Sequence, residues 1–516
     1  MLKSLATVSG FTLLSRVLGL LREVLLARFL GTGMVADAFV VAFRLPNMFR
    51  RIFGEGAFNA AFVPLFGREL EENGDEQADR FASQTFSMLG LVLVVGSIIA
   101  IPLMPFIIEL LAPGYRDDPA KLATTVGMGR IMFSYLLCMA LSAHLSGVLN
   151  TIRIFGMPSF APVLLNLIFI TALAVVVPLL GLTGDVGGVG KVVSWAVCLA
   201  GFIQLLALYL TCLAKGRRII PVVPRIDTKM KRLFALMIPG ILAAGIQQIN
   251  LIVGTRIASG QDSANSYIYY SDRINQLPLG IIGIAFGVVL LPEITRLLRA
   301  GNPAGAVRSV NRGVELAMLV TLPAAVAMVV IAAPIISAIY ERGQFSGEST
   351  SLTAAALKGF ALGLPAYILV RVLQPCYFAR EDTRRPMIMG AITVAVNLVL
   401  SIILFRYYQH VGITIATSVA GWVNVALLLF GLKGFYQPDR QLLSRLPRML
   451  LASVAMGAVL WGLLIFLRES FPGTGEVARL IRLTILVAAG GATYGAAVLL
   501  LKAASLADLR AGFRRG

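Results

Sequence analysis

Charge is scarce in this chain. Only 14% of its 516 residues are Asp, Glu, Lys or Arg, against about 25% in a soluble globular protein, so no ordinary water-facing surface can be assembled from it. Histidine is scarcer still, with His144 and His410 alone, and cysteine is limited to Cys138, Cys198, Cys212 and Cys376. The cysteines lie in or beside apolar runs, a placement that excludes a disulfide framework and metal-ligand spacing. Also missing are a phosphate-cradling GxxxxGK[ST] loop and an HExxH motif. ATP hydrolysis by the chain itself is therefore not expected, and no metal or cofactor is implied. The first apolar segment carries arginines and lacks a small-residue cleavage site, so it does not read as a cleavable signal.

Apolar length is abundant instead. Hydrophobic residues make up 58% of the chain and the mean hydropathy is +0.84, with runs of the ~20 residues that a bilayer-spanning helix needs. The expected fold class is an all-α polytopic membrane protein with 14 transmembrane helices. The spans are read at about 5–30, 36–66, 81–111, 122–149, 157–181, 187–213, 232–258, 264–295, 309–340, 352–379, 386–407, 411–435, 446–467 and 479–503. Several exceed the minimum, so tilt or extension into solvent is expected.

Basic residues dominate, 45 Lys and Arg against 26 Asp and Glu. In a membrane chain such an excess marks cytoplasmic loops, and no basic groove module suggests nucleic acid. The stretch Lys215 to Arg218 and the set Arg380, Arg384 and Arg385 fall on one side, whereas the loop GLTGDVGG after Leu180 has no cation. Both termini are accordingly assigned to the cytoplasm.

A repeat organises the chain. AFNAAFVPLFGREL at 57–70 and AFGVVLLPEITRLL at 285–298 match at Ala57, Phe58, Pro64, Arg68 and Leu70, and the same offset takes Pro158 to Pro386. Asn166 and Asn397 sit at comparable depths beyond those prolines. The shift spans an even number of helices, the mark of a parallel repeat about an axis along the membrane normal. Two pseudo-symmetric six-helix lobes are expected, 1–216 and 217–440, with two C-terminal helices in 441–516 as an appendage and a substrate site between the lobes near mid-membrane.

The stretch from Arg16 to Pro64 holds Arg16, Arg22, Glu23, Asp37, Arg44, Arg50, Arg51 and Glu55 within apolar surroundings. A charge at the bilayer centre costs about 2.5–3.5 kcal/mol or more, so these residues are expected to face partners or a watery cavity. Asp37, Arg44, Arg51 and Glu55 are spaced seven, seven and four apart, near one helical face. Pro46, Gly54 and Gly56 suggest a broken or hinged helix. Arg16 and Glu23 share a face while Arg22 points elsewhere, and the second half of the chain adds Asp272 and Arg273. Arginine presents a planar fork suited to phosphate and cannot lose its proton. The cation excess therefore points to an anionic, diphosphate-like cargo, against the bland alternative of structural ion pairs, which weighs most for Glu23 and Asp272. Arg28 and Arg256 read as interfacial anchors, and Gln247, Gln248 and Asn250 as interhelical hydrogen-bonding residues.

At these residues the chain closely resembles the MurJ (MviN) family of lipid II flippases, within the multidrug/oligosaccharidyl-lipid/polysaccharide exporter superfamily. The motifs are SRVLGLLRE at 15–23, ADAFVVAFRLPNMFRRIFGEGAF at 36–58, LNTIRIFGMPSFAPVLLN at 149–166 and YYSDRINQLPLGIIGIAFGVVLLP at 269–292. The resemblance covers essentially the whole chain and is loosest in the last two spans. It implies transport, not enzymatic turnover, of the undecaprenyl-diphosphate-linked peptidoglycan precursor from the inner to the outer leaflet of the bacterial inner membrane, in cell-wall biogenesis and the maintenance of cell shape. Arg16, Arg22, Arg50 and Arg273 then correspond to cavity arginines, Asp37 to an essential aspartate and Glu55 to an inner-gate glutamate. Asp37 and Arg51 join the substrate-binding set and Arg44 the gate. Lipid II and membrane lipids are the implied partners, cell-wall synthesis machinery is a further one, and a single chain suffices to enclose a cavity. The last two helices would line a groove for the prenyl tail. No Asp or Glu falls within the seventh or eleventh span, so the sodium site of some members does not carry over.

The alternatives are a related O-antigen-type polyprenyl-diphosphate flippase or a cation-coupled drug exporter of the same fold. An exporter of cationic drugs would favour acidic and aromatic cavity residues, the reverse of what is seen. An integral-membrane enzyme would need a carboxylate cluster richer than Asp37 and Asp272. A scaffold would tolerate loss of the buried arginines.

Overall fold

The computed structural model describes the backbone of residues 2–54, 57–470, 473 and 475–504, and side chains outside 2–6, 49–54, 57, 239–244, 246, 247, 281–289 and 468–470. Among these residues every regular element is helical. In chain order they are α1 (Leu2–Leu30), α2 (Met34–Gly54), α3 (Ala57–Ala100), α4 (Met104–Leu111), α5 (Pro119–Thr151), α6 (Gly156–Leu179, with a π turn at Ala172–Val176), α7 (Val186–Ala214) and α8 (Thr228–Ala258). There follow α9 (Ala264–Arg299), α10 (Pro303–Val330), α11 (Ala332–Tyr340), α12 (Gly347–Ala361), α13 (Leu364–Phe378), α14 (Arg384–Gly431), α15 (Arg440–Ser470) and α16 (Glu476–Leu500). Among the described residues, nine helical stretches are long and apolar enough to cross a membrane.

Polar residues in the connections start these helices. Asp118, Asp185, Asp227, Asn302 and Ser346 each accept a bond from a first-turn backbone N–H of α5, α7, α8, α10 and α12, which satisfies donors that have no partner inside a helix. Pro119 and Pro303 occupy the first turn, where a missing N–H costs nothing.

The residues divide into two compact units, Met1–Ser266 with Gly343–Phe345, and Tyr267–Arg342 with Ser346–Gly516. The division falls one helix later than residue 216, because α8 packs on α3, α2 and α4. In the first unit α5 is central, lying against α2, α3 and α7, with 67% of its most apolar window buried. In the second, the α12–α13 stretch is buried to the same degree, whereas the most apolar window of α14 is 11% buried. The outer helices expose Trp195, Phe202, Trp422 and Trp461, surfaces that only an apolar solvent accommodates at this density.

Several local features depart from the expected spans. Helix α2 runs unbroken through Pro46, because membrane helices re-satisfy the freed carbonyl locally. The polar stretch at 67–80, expected as a loop, is helical as part of α3 with a kink at Gly74 (φ 77°). It is strapped by residues that follow α7. Arg217 bonds Asp75 and Asp79, and the backbone N–H groups of Ile220 and Val222 donate to Ser83 and Ser87. Burial works against the Arg217 charge, but Asp75 and Asp79 hold its pKa above the ordinary value. The ninth and tenth expected spans are each interrupted, at Ile331 and at Leu362–Gly363. The eleventh and twelfth are joined, with a sharp bend at Gln409 (φ 51°). His410, expected in a loop, is buried at that bend against the Leu352 carbonyl.

The segment 343–345 is clasped to the end of α1. Gln344 N donates to Arg28 O at 2.8 Å, and Gly343 has φ +58° with room for no Cβ, which would lie 2.3 Å from that same carbonyl oxygen. Gly343→Ala is expected to destabilise the chain by about 1–3 kcal/mol, read as a lowered melting temperature of the detergent-solubilised protein. Unchanged melting would mean that the clasp is dispensable.

A buried acid–base cluster and an arginine-bearing helix as the candidate site

Asp37 lies in the first turn of α2, where the helix dipole favours a negative charge. It is fully buried. Its Oδ2 accepts from Tyr115 Oη at 2.7 Å and lies 3.0 Å from Lys121 Nζ. Its Oδ1 accepts from the backbone N–H and the hydroxyl of Ser266 at 2.9 and 3.2 Å. Tyr115 comes from the short turn Pro113–Asp117, Lys121 from the first turn of α5 and Ser266 from the start of α9. Lys121 is 3% exposed and its ammonium sits 4.3 Å from the centre of the Tyr115 ring. Its second carboxylate, Asp262 at 3.3 Å, is almost wholly exposed and contributes little. Burial and then the neighbouring Asp37 push the Tyr115 phenol well above its ordinary pKa, so it stays a donor. With every lone-pair direction answered, Asp37 ties three segments together, and a buried ion pair that is otherwise hydrogen-bonded is costly to break on one side.

A second polar group joins α1 to α6. Arg22 Nη2 lies 2.5 Å from Glu23 Oε1, Nη1 donates to Asn166 Oδ1 at 3.0 Å, and Asn166 Nδ2 donates to the Ser15 carbonyl at 2.9 Å. The guanidinium also lies 5.3 Å from the centre of the Phe169 ring. The sequence directs Arg22 and Glu23 to different faces, and adjacent residues do diverge on a helix. The long arginine side chain nevertheless swings back to reach its neighbour. Two turns earlier Arg16 is exposed, with no carboxylate within ion-pair distance among the described residues.

The remaining residues of interest are placed as follows. Arg44 donates to the Thr255 hydroxyl, joining α2 to α8 within the first unit. Arg273, in the second unit, stacks 4.7 Å from the Tyr269 ring centre, while its neighbour Asp272 accepts from Gln276. Glu55 and the side chains of Arg50 and Arg51 lie outside the described residues. Asp37, Arg16, Arg22 and Arg44 thus share one unit without forming one cluster: Asp37 and Arg22 are internally compensated, and Arg16 is the cation offered outward.

Sequence reasoning missed Lys121, Tyr115 and Ser266. It also missed the buried Glu315, which Arg445 and Arg312 hold in the second unit, linking α10 to α15. A lysine two residues after the proline that opens an apolar helix was the available signal for Lys121. Among the described residues, no group of three or more His, Cys, Asp or Glu could hold a metal ion. The polar contacts among the described residues are hydrogen bonds, ion pairs and cation–π contacts within the protein.

Comparison with known proteins places the chain in a family. The family model described as lipid II flippase MurJ matches residues 26–485. A probable lipid II flippase MurJ of Rhizobium meliloti (strain 1021) is 45% identical over 522 residues, covering 100% of this chain and 97% of that protein. Among solved structures, a lipid II flippase MurJ in an inward closed conformation aligns with TM-score 0.76 at 24% identity, covering 96% of this chain and 99% of the other. An inward-facing multidrug resistance MATE family transporter of the MOP superfamily aligns with TM-score 0.67 at 13% identity, covering 81% and 93%, a likeness of fold alone. The chain is a multi-pass protein of the bacterial inner membrane and belongs to the MurJ lipid II flippase family.

Proposed function

We propose that this chain is a lipid II flippase that carries the undecaprenyl-diphosphate-linked headgroup from the inner to the outer leaflet by alternating access. The reading includes 14 transmembrane helices, two pseudo-symmetric six-helix lobes over 1–216 and 217–440, a tail-binding pair of helices in 441–516, and both termini in the cytoplasm. Arg16, Arg22, Arg50, Arg51 and Arg273 are the diphosphate-binding set, with Asp37 as a supporting residue. Glu55 and Arg44 act in gating. The chain works as a monomer, alongside the cell-wall synthesis machinery.

The observation that supports this most is the asymmetry along α1. Arg22 is compensated by Glu23 and Asn166, whereas two turns earlier Arg16 has no ion-pair partner among the described residues and lies beside exposed Leu13 and Val17. An uncompensated charge on an apolar helix marks a transport path by default. Asp37 fits a supporting role because a carboxylate that already accepts four contacts would repel, not bind, a diphosphate.

The test is complementation. Cells depleted of their own lipid II flippase are expected to recover growth and shape when this chain is expressed. Continued lysis despite membrane insertion of the chain would refute the proposal.

A further inference from the structure

The second unit contains a cavity of about 340 Å³ that lies partly on the two C-terminal helices proposed above to take the prenyl tail, at an end whose charges that reading does not use. It is formed where α11 ends and α16 begins, and α15 closes its side. One end is apolar, with Leu464, Leu467 and Leu486, the last two being part of a buried cluster with Ile331, Met456 and Leu460. The other end is charged, with Glu341, Arg479 and Arg482.

The charges there are unequally satisfied. Arg479 Nη2 lies 3.0 Å from Glu341 Oε1, and its other amino group donates to the Glu341 carbonyl. The second Glu341 oxygen accepts from Thr350 Oγ1 at 2.8 Å. Glu341 is therefore fully committed. Arg482 donates from Nη2 to the Gly473 carbonyl, but its Nε is buried without a partner and no carboxylate reaches it among the described residues. Among the described lining residues, two arginines and one glutamate leave a single positive charge. Arg482 and Leu486 are four residues apart on one face of α16, about 6 Å along the axis. A ligand here meets a cation first and hydrocarbon one turn deeper. Beside the cavity, Phe466, Leu480 and Ile481 expose apolar side chains, along which further chain can lie.

We propose that this cavity binds the headgroup of a phosphodiester lipid carrying one negative charge. The phosphate oxygens accept from Arg482, and the proximal acyl chain lies against Leu464 and Leu486. Charge selects this class. Among the described residues one guanidinium has no carboxylate partner, which matches a phosphodiester, whereas a diphosphate would add a negative excess beside Glu341. Size agrees, because the cavity admits a headgroup and the start of a chain but not a glycosylated peptide. The site lies within the second unit and does not depend on the transport reading, so either can fail alone.

The experiment uses the full chain in neutral detergent. Phosphatidylglycerol added to micelles is expected to raise the melting temperature by several degrees, phosphatidylcholine to do so much less, and inorganic phosphate not at all. Arg482→Gln is expected to weaken the phosphatidylglycerol response about tenfold in half-saturating concentration, while Arg406→Gln, on a different helix, leaves it unchanged. In the wild type, a photoactivatable phosphatidylglycerol is expected to label peptides containing Leu464 or Leu486, a readout independent of how well the variant folds. Equal responses to the two lipids, an equal response to inorganic phosphate alone, an undiminished response in Arg482→Gln, or labelling spread over the other helices would each overturn the proposal.

Discussion

Lys121→Met should lower the stability of the chain by about 3–5 kcal/mol, because it leaves Asp37 buried without its cation. The loss should far exceed that of an ordinary surface lysine, since both partners are shielded from water and Asp37 would retain only the neutral donors Tyr115 and Ser266. Adding Asp37→Asn to Lys121→Met should recover part of the loss, because an amide can accept from Tyr115 without demanding a counter-charge. Asp37→Asn alone strands the lysine and should resemble Lys121→Met. Thermal melting of solubilised protein decides it through the double-mutant cycle. A coupling energy near zero would mean that the pair is not the tie among α2, α5 and the start of α9.

Arg22→Gln is the second large effect. Glu23 is 3% exposed and loses its arginine, and Asn166 loses one of the bonds that hold α6 to α1. A loss of about 3–5 kcal/mol is expected, as for any one-sided removal from a buried pair. Arg22→Lys should be intermediate, because an ammonium can reach Glu23 but cannot fork to Asn166 at the same time. Asn166→Leu should cost less, about 1–3 kcal/mol for the unpaired Arg22 donor and Ser15 carbonyl acceptor it leaves. If Lys at position 22 behaved as wild type, the fork would not matter and the residue would be a simple counter-charge.

These two cases show what the sequence could and could not reveal. Long apolar runs dictate helices, and several expected spans have helical counterparts whose ends lie within a few residues, as at α5, α7 and α16. The helical character of 67–80 was hidden, because its charges read as a loop. Arg217 bonds Asp75 and the Ile220 backbone N–H donates to Ser83 in the same helix, both partners lying far along the chain. The breaks at Ile331 and Leu362 leave no trace in hydropathy, since both sides are equally apolar. The arginines of α1 were visible because isolated charges in apolar sequence are costly. Their division into the compensated Arg22 and the exposed Arg16 was not visible, because it depends on Asn166, 144 residues from Arg22. Lys121 escaped notice for a related reason: one charge at a helix start barely alters a window average, and only its burial against Asp37 gives it meaning.

The account stands on the idea that outward-facing guanidinium groups receive a diphosphate, and Arg16 is the described residue that isolates it. Its removal should leave folding intact, as no hydrogen bond or ion pair is lost among the described residues. The measurement is the amount of labelled lipid II exposed in the outer leaflet of flippase-depleted cells expressing Arg16→Gln at wild-type levels. The prediction is exposure reduced at least about tenfold, as expected when a charged contact to the cargo is lost, with unchanged melting of the purified protein. Wild-type exposure in Arg16→Gln would contradict it.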